Sequence, residues 1–169
     1  KALNRGVKPQ KKISEYGKQL REKQKLKAYY GVLEKQFKIY VEAAMHSKGN
    51  SGEKLVQRLE QRLDNMTYRL GFASTLRQAR QMVVHGHILV NGKKVDRPSY
   101  KVEVEDTISL KEKSKSIAIF KDSFTSTTTN LPYLEKNLND FSGKLIAEPK
   151  RDQVPIEVTD SYIIEFYSK

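Results

Sequence analysis

Cationic and amide side chains recur at helical spacing in the middle of the chain. Arg80 and Gln81 lie three and four residues after Arg77, so on a helix the three side chains share one face. Lys93 and Lys94 follow a short distance along the chain, directly after an Asn-Gly pair. Guanidinium and ammonium groups hold phosphate oxygens by charge-assisted hydrogen bonds and need no reacting partner. The chemistry that these residues can do is therefore the binding of a polyanion.

The sequence has no pattern that is typical of a catalytic or metal site. His85 and His87 flank a glycine with no cysteine or carboxylate beside them, so we expect them to contact phosphate rather than a metal. Asp64 lies in an amphipathic helical pattern, which favours an ion pair or a hydrogen bond over an acid–base role. The chain has no cysteine and no glycine-rich phosphate loop. We therefore predict that the protein is not an enzyme and uses no metal, cofactor or small-molecule substrate.

A helix, a turn, a second helix and a hairpin would position the cationic side chains. The first helix is predicted from apolar residues that recur roughly every 3.6 positions. Asn50 and Glu53 resemble a capping box at its start, and Gly71 suits the left-handed residue just past its end. We expect one continuous helix, with an apolar face made of Leu55, Val56, Leu59, Leu63, Met66 and Leu70.

The second helix begins after Ser74 or Thr75, either of which can cap it, and ends at Gly86. The pair Asn91-Gly92 predicts a tight hairpin, because both residues of such a turn must take positive φ. This hairpin would lift the two lysines beside the cationic face of the second helix. The opposite, apolar face of that helix consists of Leu76, Ala79, Met82 and Val83.

The positive charge of the chain is concentrated in its first hundred residues. The whole chain has a net charge of +12. Residues 1–100 have 22 Lys plus Arg against 8 acidic residues, whereas residues 101–169 have 10 against 12. This asymmetry indicates that the positive charge forms a nucleic-acid-binding surface rather than only keeping the protein soluble. No apolar run is long enough to cross a membrane and no signal peptide is visible, so we expect no membrane partner.

The N-terminal part is predicted to be a basic arm followed by helices. Residues 1–12 are rich in lysine and contain no acid, which is typical of an arm that orders on a polyanion. From Ser14 onward, apolar residues return at helical spacing with lysines and arginines between them. We expect the aromatic residues of this stripe to be core residues rather than base-stacking platforms; they are Tyr29, Tyr30, Phe37 and Tyr40.

Two stretches of the sequence resemble a known family. The order RLDNMTYRLGFASTLRQARQMVVHGHILVNGKKV closely resembles the RNA-binding module named after ribosomal small-subunit protein four. The preceding stretch YGKQLREKQKLKAYYGVLEKQF resembles the helical domain of bacterial and organellar members of that protein family. Enzymes that carry the module, such as tyrosyl-tRNA synthetases and pseudouridine synthases, lack this helical domain. The resemblance starts near Lys11 and lacks the longer N-terminus, sometimes with a Cys zinc cluster, of other members.

The resemblance implies an α+β fold in three parts. Residues 1–52 would be the basic arm and the helical domain. Residues 53–122 would be the RNA-binding module, two helices packed on a hairpin-based antiparallel sheet, with a core at 58–110. Residues 123–169 would supply C-terminal strands and an apolar end that packs back on the body. Because residues 123–129 are rich in Ser and Thr, we expect the helix that the family has near this point to be short or irregular.

The resemblance also implies the partners. They are small-subunit ribosomal RNA, at the five-way junction of its 5′ domain, and small-subunit protein five. The protein would nucleate assembly of that domain and support translational accuracy, and members can also bind their own messenger RNA. The implied location is the cytoplasmic ribosome, with an organellar ribosome as the alternative. Two other functions stay open: a stand-alone RNA-binding module in RNA quality control or modification, and a DNA-binding helix-turn-helix protein.

The candidate RNA-binding residues fall into two groups, which we expect to grip separate RNA helices through their phosphates. The helical part contributes Lys11, Lys12, Lys18, Arg21, Lys23, Lys25, Lys27, Lys35 and Lys38. The module contributes Arg58, Arg62, Tyr68, Arg69, Thr75, Arg77, Gln78, Arg80, Gln81, His85, His87, Asn91, Lys93 and Lys94.

Overall fold

The computed structural model describes residues 12–168, and its first helix starts where the sequence predicts. Helix α1 (Glu15–Tyr30) is capped by Ser14, whose Oγ accepts a hydrogen bond from the Gly17 amide at 3.1 Å. It ends at Gly31, which has a φ of 63°, a conformation that glycine adopts without strain. Helix α2 (Glu34–His46) follows after a short turn. Most of the predicted basic arm lies outside the described residues.

The apolar stripe of α1 and α2 forms part of the core, with one exception among the aromatic residues. Tyr30, Phe37 and Tyr40 are buried, as predicted. The prediction was wrong for Tyr29, which is 38% exposed. The buried apolar side of α1 is formed by Leu26 and Tyr30, which lie one helical turn apart, and Tyr29 lies about 100° away from Tyr30 at the edge of this side.

The sequence predicts one continuous first helix for the module. This prediction was wrong, because the structure has two helices in this stretch. Helix α3 (Ser51–Glu60) and helix α4 (Leu63–Arg69) are separated by two residues whose backbone turns aside. At this break the Leu63 amide donates to the carbonyl of Tyr100 at 2.9 Å, and the Val102 amide donates to the carbonyl of Gln61 at 2.8 Å. The segment around residue 101 therefore takes up backbone groups that a continuous helix would have paired internally.

The ends of these helices follow their sequence signals. The Asn50 side chain accepts from the Glu53 amide at 3.1 Å, and Gly71 has a φ of 88°. Helix α5 (Leu76–Val84) is capped by Thr75, whose Oγ1 accepts from the Gln78 amide at 3.1 Å. Capping side chains of this kind satisfy amides that have no partner in the first turn. The local predictions for helix ends are thus confirmed.

The strands form one five-stranded antiparallel sheet. They are β1 (Ile88–Val90), β2 (Lys93–Lys94), β3 (Thr107–Leu110), β4 (Leu134–Asn137) and β5 (Ser142–Leu145), in the spatial order β2-β1-β3-β5-β4. The hairpin turn has the predicted conformation, with φ of 51° at Asn91 and 81° at Gly92. On β1 and β3 alternate residues are buried, so one face of the sheet meets the core.

The C-terminal part packs back on the body, as expected. Helix α6 (Ala118–Ser126) is short, and its Phe124 ring stacks on Phe72 with centroids 4.4 Å apart. Strand β5 approaches α4 so closely that a Cβ on Gly143 would collide with the Leu70 side chain. Helix α7 (Asp160–Tyr167) lies against α1 and buries Ile163. The α+β architecture is therefore confirmed, and no helix within residues 12–168 is long and apolar enough to span a bilayer.

Candidate nucleic-acid interface

Helix α5 presents polar residues on the side opposite its buried face. Ala79, Met82 and Val83 are buried, whereas Arg77 and Gln81 are exposed. The helix is thus oriented by its apolar residues, and its exposed side can reach a ligand without any change in packing. We use the name α5–hairpin surface for the exposed residues of this helix and of the strands after it, namely Thr75, Arg77, Gln81, His85, Lys93 and Lys94.

Asn91 holds the hairpin in place rather than extending this surface. Its Oδ1 accepts from the Thr107 amide at 2.9 Å, and its Nδ2 donates to Asp106 at 2.8 Å. Both bonds tie the turn to the start of β3. They fix the position of β2, whose Lys93 and Lys94 are exposed. Asn91 therefore fixes the backbone that carries these two lysines.

The two histidines have different environments. His85 is exposed at the end of α5. Nδ1 of His87 lies 2.7 Å from the Ser114 hydroxyl, and its ring meets the Phe120 ring edge-on at 4.9 Å. Burial lowers the pKa of His87 below its usual range, and the charges of His85 and Lys111 lower it further. The neutral form of His87 is therefore favoured, and of the two histidines it is His85 that faces solvent on this surface.

Helices α1 and α2 present a second set of cations. Arg21, Lys35 and Lys38 are exposed and form no ion pair within residues 12–168. Lys18 and Lys25 also reach solvent, although each lies near a carboxylate of its own helix, at 3.4 and 3.2 Å. Lys12 is exposed before α1, and Lys11 lies outside the described residues. We call Lys12, Lys18, Arg21, Lys25, Lys35 and Lys38 the α1–α2 surface.

Lys23 and Lys27 are engaged inside the protein instead. Their ammonium groups lie 2.7 and 3.0 Å from the same Glu34 oxygen, and Tyr167 donates to the other oxygen at 2.7 Å. Lys23 also lies over the ring of Phe166, 4.6 Å from its centroid. Partial burial raises the pKa of Glu34, but the three hydrogen bonds lower it to about 2. This cluster fastens α7 to α1 and α2.

A buried cluster around Glu60 binds Arg69, the second arginine of the RLDNMTYRLG stretch. Glu60 is fully buried and accepts from Tyr30 and from Tyr133, each at 2.7 Å. Arg69 donates to it at 2.8 Å, and the Arg69 side chain is only 8% exposed. Desolvation raises the pKa of both tyrosines, and the negative charge of Glu60 raises it further. Arg69 is therefore held inside the protein.

A second buried carboxylate, Asp64, engages two more candidate arginines. Its side chain is fully buried and lies 3.1 Å from Arg62 and 3.1 Å from Arg80. Arg62 also donates to the hydroxyl of Tyr40 at 2.9 Å, and Arg80 donates to the carbonyl of Tyr30 at 3.1 Å. The predicted ion-pair role of Asp64 is confirmed. These bonds join α1, α2, α4 and α5, so the two arginines are positioned primarily by the protein itself.

Three further candidate RNA-binding residues, Gln78, Tyr68 and Arg58, are half-buried and each contacts a neighbouring side chain. Gln78 is half-buried, and its Oε1 accepts from both the amide and the hydroxyl of Ser74, which reinforces the cap of α5. The ring of Tyr68 is half-buried beside the Arg69 guanidinium, at 5.7 Å. Arg58 is half-buried against the Tyr40 ring, with 4.7 Å between Cζ and the centroid.

Sequence reasoning missed Glu60, which accepts from Arg69, and Tyr133, which donates to Glu60. Glu60 and Arg69 are nine residues apart, so they would lie on opposite sides of the continuous helix that the sequence predicts; in the structure they lie on separate helices, α3 and α4. No local signal pointed to Tyr133, because 73 residues separate it from Glu60. In the described part of the chain no group of three or more His, Cys, Asp or Glu residues could hold a metal ion.

Comparison with known proteins finds two family domains along the chain. Residues 2–60 match the Ribosomal protein S4/S9 N-terminal domain, and residues 61–108 match the S4 domain. Small ribosomal subunit protein uS4B of Clostridium acetobutylicum is 61% identical over 169 residues, all of this chain and 88% of that protein. Protein uS4 of Clostridium beijerinckii and protein uS4A of Clostridium acetobutylicum are 52% and 51% identical, each over 94% of this chain and 77% of the relative. The chain therefore belongs to the uS4 family of small-subunit ribosomal proteins, which carries the RNA-binding S4 domain.

Proposed function

We propose that this chain is a structural protein of the small ribosomal subunit and binds small-subunit ribosomal RNA through its two cationic surfaces. One observation carries the proposal at residue level. Three candidate arginines are bound to buried carboxylates, whereas seven exposed candidate cations form no ion pair in residues 12–168. Those seven are Lys12, Arg21, Lys35 and Lys38 on the α1–α2 surface and Arg77, Lys93 and Lys94 on the α5–hairpin surface.

The chemistry of such a surface is backbone binding. Exposed cations exchange condensed counterions for phosphate contacts, which supplies affinity without a catalytic step. Thr75, Gln81 and His85 lie among the cations of the α5–hairpin surface and add hydrogen-bonding groups for sugars, bases and phosphates. Arg62, Arg69 and Arg80 support the interface from inside the protein by fixing the helices that carry it. No reacting group is required, so we infer a structural role and no enzymatic one.

We also propose a finer function, which the resemblance to the family supports. We infer that the RNA partner is the five-way junction in the 5′ domain, and that binding there nucleates assembly of that domain. Two surfaces on one rigid body fix the angle between two RNA helices, which is what an early assembly step requires. A contact with small-subunit protein five would then link the protein to translational accuracy. Binding of its own messenger RNA and residence on cytoplasmic ribosomes complete the proposal.

The test uses the whole chain and three matched lysine pairs. Lys35→Gln with Lys38→Gln alters the α1–α2 surface, and Lys93→Gln with Lys94→Gln alters the α5–hairpin surface. The control pair is Lys113→Gln with Lys121→Gln, which are exposed lysines outside both surfaces. Each surface pair should reduce the slope of log affinity against log salt by about two, because two phosphate contacts are lost.

The binding partner in this experiment is small-subunit 5′-domain RNA, with duplex DNA of equal length as competitor. The control pair should leave the salt slope within about half a unit of the wild-type value. Equal binding to RNA and duplex DNA would contradict the ribosomal function. Unchanged slopes for a surface pair would show that this surface does not contact the RNA.

A further inference from the structure

A partly open cleft lies where the two family segments meet. It has a volume of about 290 Å³ and is lined by residues of α2 and α3, by the residues that follow Tyr100, and by Glu148. Three cations border it, namely Lys54, Arg58 and Lys101. None of the surfaces described above includes this cleft.

Arg58 differs from the three arginines that are bound to buried carboxylates, because it has no carboxylate partner in residues 12–168. Arg62, Arg69 and Arg80 each lie within 3.1 Å of a buried carboxylate oxygen. Arg58 forms no ion pair in residues 12–168; its Nη2 donates only to the Ser99 carbonyl, at 3.4 Å. Its Nη1 is buried and has no hydrogen-bond partner in the same range. A half-buried guanidinium in this state keeps donors available for an anion.

Each carboxylate of the cleft already has a partner among the other residues that line it. Glu103 lies 3.6 Å from the Lys101 ammonium, and Glu148 accepts a hydrogen bond from Gln57 at 3.3 Å. Burial lowers the pKa of Arg58, and the charge of Arg62 lowers it further, whereas the charge of Glu103 raises it. Three cations against two carboxylates give the cleft a net positive charge, and Arg58 is the one of these cations that is half-buried without an ion pair in residues 12–168.

We propose that the cleft is a phosphate-binding subsite for the RNA, in which Arg58 is the principal donor and Lys54 and Lys101 supply flanking charge. The inference rests on the proposed function, because the phosphate belongs to the RNA backbone. A planar guanidinium can offer two parallel N–H groups to one phosphate, and a lysine cannot. The Tyr40 ring supports the guanidinium from one side, at 4.7 Å. This contact would bind the boundary between α3 and α4 to the RNA.

The experiment compares wild-type protein, Arg58→Met and Arg58→Lys as whole chains. Methionine keeps an apolar side chain against Tyr40 and removes the charge, whereas lysine keeps the charge without the planar fork. The dissociation constant for 5′-domain RNA should rise on the order of tenfold for Arg58→Met, and the salt slope should fall by about one. Arg58→Lys should recover the salt slope but only part of the affinity.

Ethylation interference on the same RNA identifies the phosphate. At one or two positions, ethylation should weaken binding of the wild-type protein but leave binding of Arg58→Met unchanged. The control Lys121→Met removes an exposed cation outside the cleft and should keep the wild-type interference pattern. Urea unfolding of Arg58→Met should show a midpoint at or above that of the wild type, because an uncompensated charge is removed.

The outcomes separate this inference from the proposed function. Identical interference patterns for wild-type protein and Arg58→Met would overturn the phosphate subsite, while selective RNA binding by the wild type would leave the proposed function in place. A lower urea midpoint for Arg58→Met, together with unchanged RNA affinity, would mean that Arg58 only packs on Tyr40. Loss of RNA selectivity by the wild-type chain itself would overturn both.

Discussion

Nε of Arg69 lies 2.8 Å from Oε2 of Glu60, with side-chain exposures of 8% and 0%. Tyr30 and Tyr133 complete the coordination of the same carboxylate. One buried anion thus holds α1, α3, α4 and the segment before β4 together. An arginine that looks like an RNA ligand in the sequence is instead a structural cation in the middle of the fold.

Arg69→Met should destabilise the protein by about 3–5 kcal/mol, because it leaves the Glu60 charge buried without its cation. Urea unfolding measures this loss. Arg77→Met is the matched control, and since Arg77 is exposed without an ion pair, its stability should stay within about 0.5 kcal/mol of wild type. Equal stabilities for the two variants would contradict the structural role of the cluster.

Glu34 should make stability depend on pH. Its folded-state pKa of about 2 lies below the ordinary value of 4.5. The stabilisation from its partners is therefore fully present above pH 4.5 and is lost as the pH falls towards 2. The difference in unfolding free energy between wild type and Glu34→Gln should shrink over this interval. The control is Glu42→Gln, which alters an exposed carboxylate on the same helix that forms no ion pair with residues 12–168. A difference that does not vary with pH for Glu34→Gln would refute the assignment.

Glu105→Gly should stabilise the protein. Glu105 has a φ of 80°, a conformation that is unfavourable for a residue with a Cβ by roughly 1 kcal/mol. Its ion pair with Lys144 is exposed and long, at 3.6 Å, so losing it removes little. Thermal unfolding should show a higher midpoint. Glu103→Gly, at a neighbouring position without positive φ, should lower the midpoint instead.

Leu63→Ala should destabilise the protein by roughly 2–5 kcal/mol, because Leu63 is fully buried. Leu76→Ala is the comparison: that side chain is only half-buried at the start of α5, and its loss should be clearly smaller. Chemical denaturation of both variants gives the ranking. A larger loss for Leu76→Ala would mean that α5 packs differently from the orientation described above.

Local signals in the sequence predicted local structure well. Asn50, Thr75 and Gly71 mark helix ends through bonds and dihedral angles that involve residues only a few positions away. Asn91-Gly92 predicts the hairpin for the same reason. The exposed cations of α5 and β2 were also predicted, because burial of the apolar face decides which side of the helix meets water.

The features that sequence analysis did not predict depend on distant partners. The break between α3 and α4 is stabilised by residues 100–102, some forty positions later, and the apolar stripe continues across it without a visible interruption. Whether Arg62 and Arg69 are exposed or form internal ion pairs depends on which neighbouring carboxylates are buried. Charge and spacing alone make a structural arginine and a phosphate ligand look the same.

The pairing of β3 with β5 has a consequence for the order of synthesis. Translation releases β1, β2 and β3 before β5, so the central pairing of the sheet forms only after residue 145 has left the exit tunnel. Until Tyr133 emerges, Glu60 lacks its second tyrosine, and until α7 emerges the Glu34 cluster lacks Tyr167. A chain cut short by premature termination would therefore lack the tyrosine hydroxyls that complete the hydrogen bonding of Glu60 and Glu34, and we expect its folded state to open to proteolysis more readily than that of the whole chain.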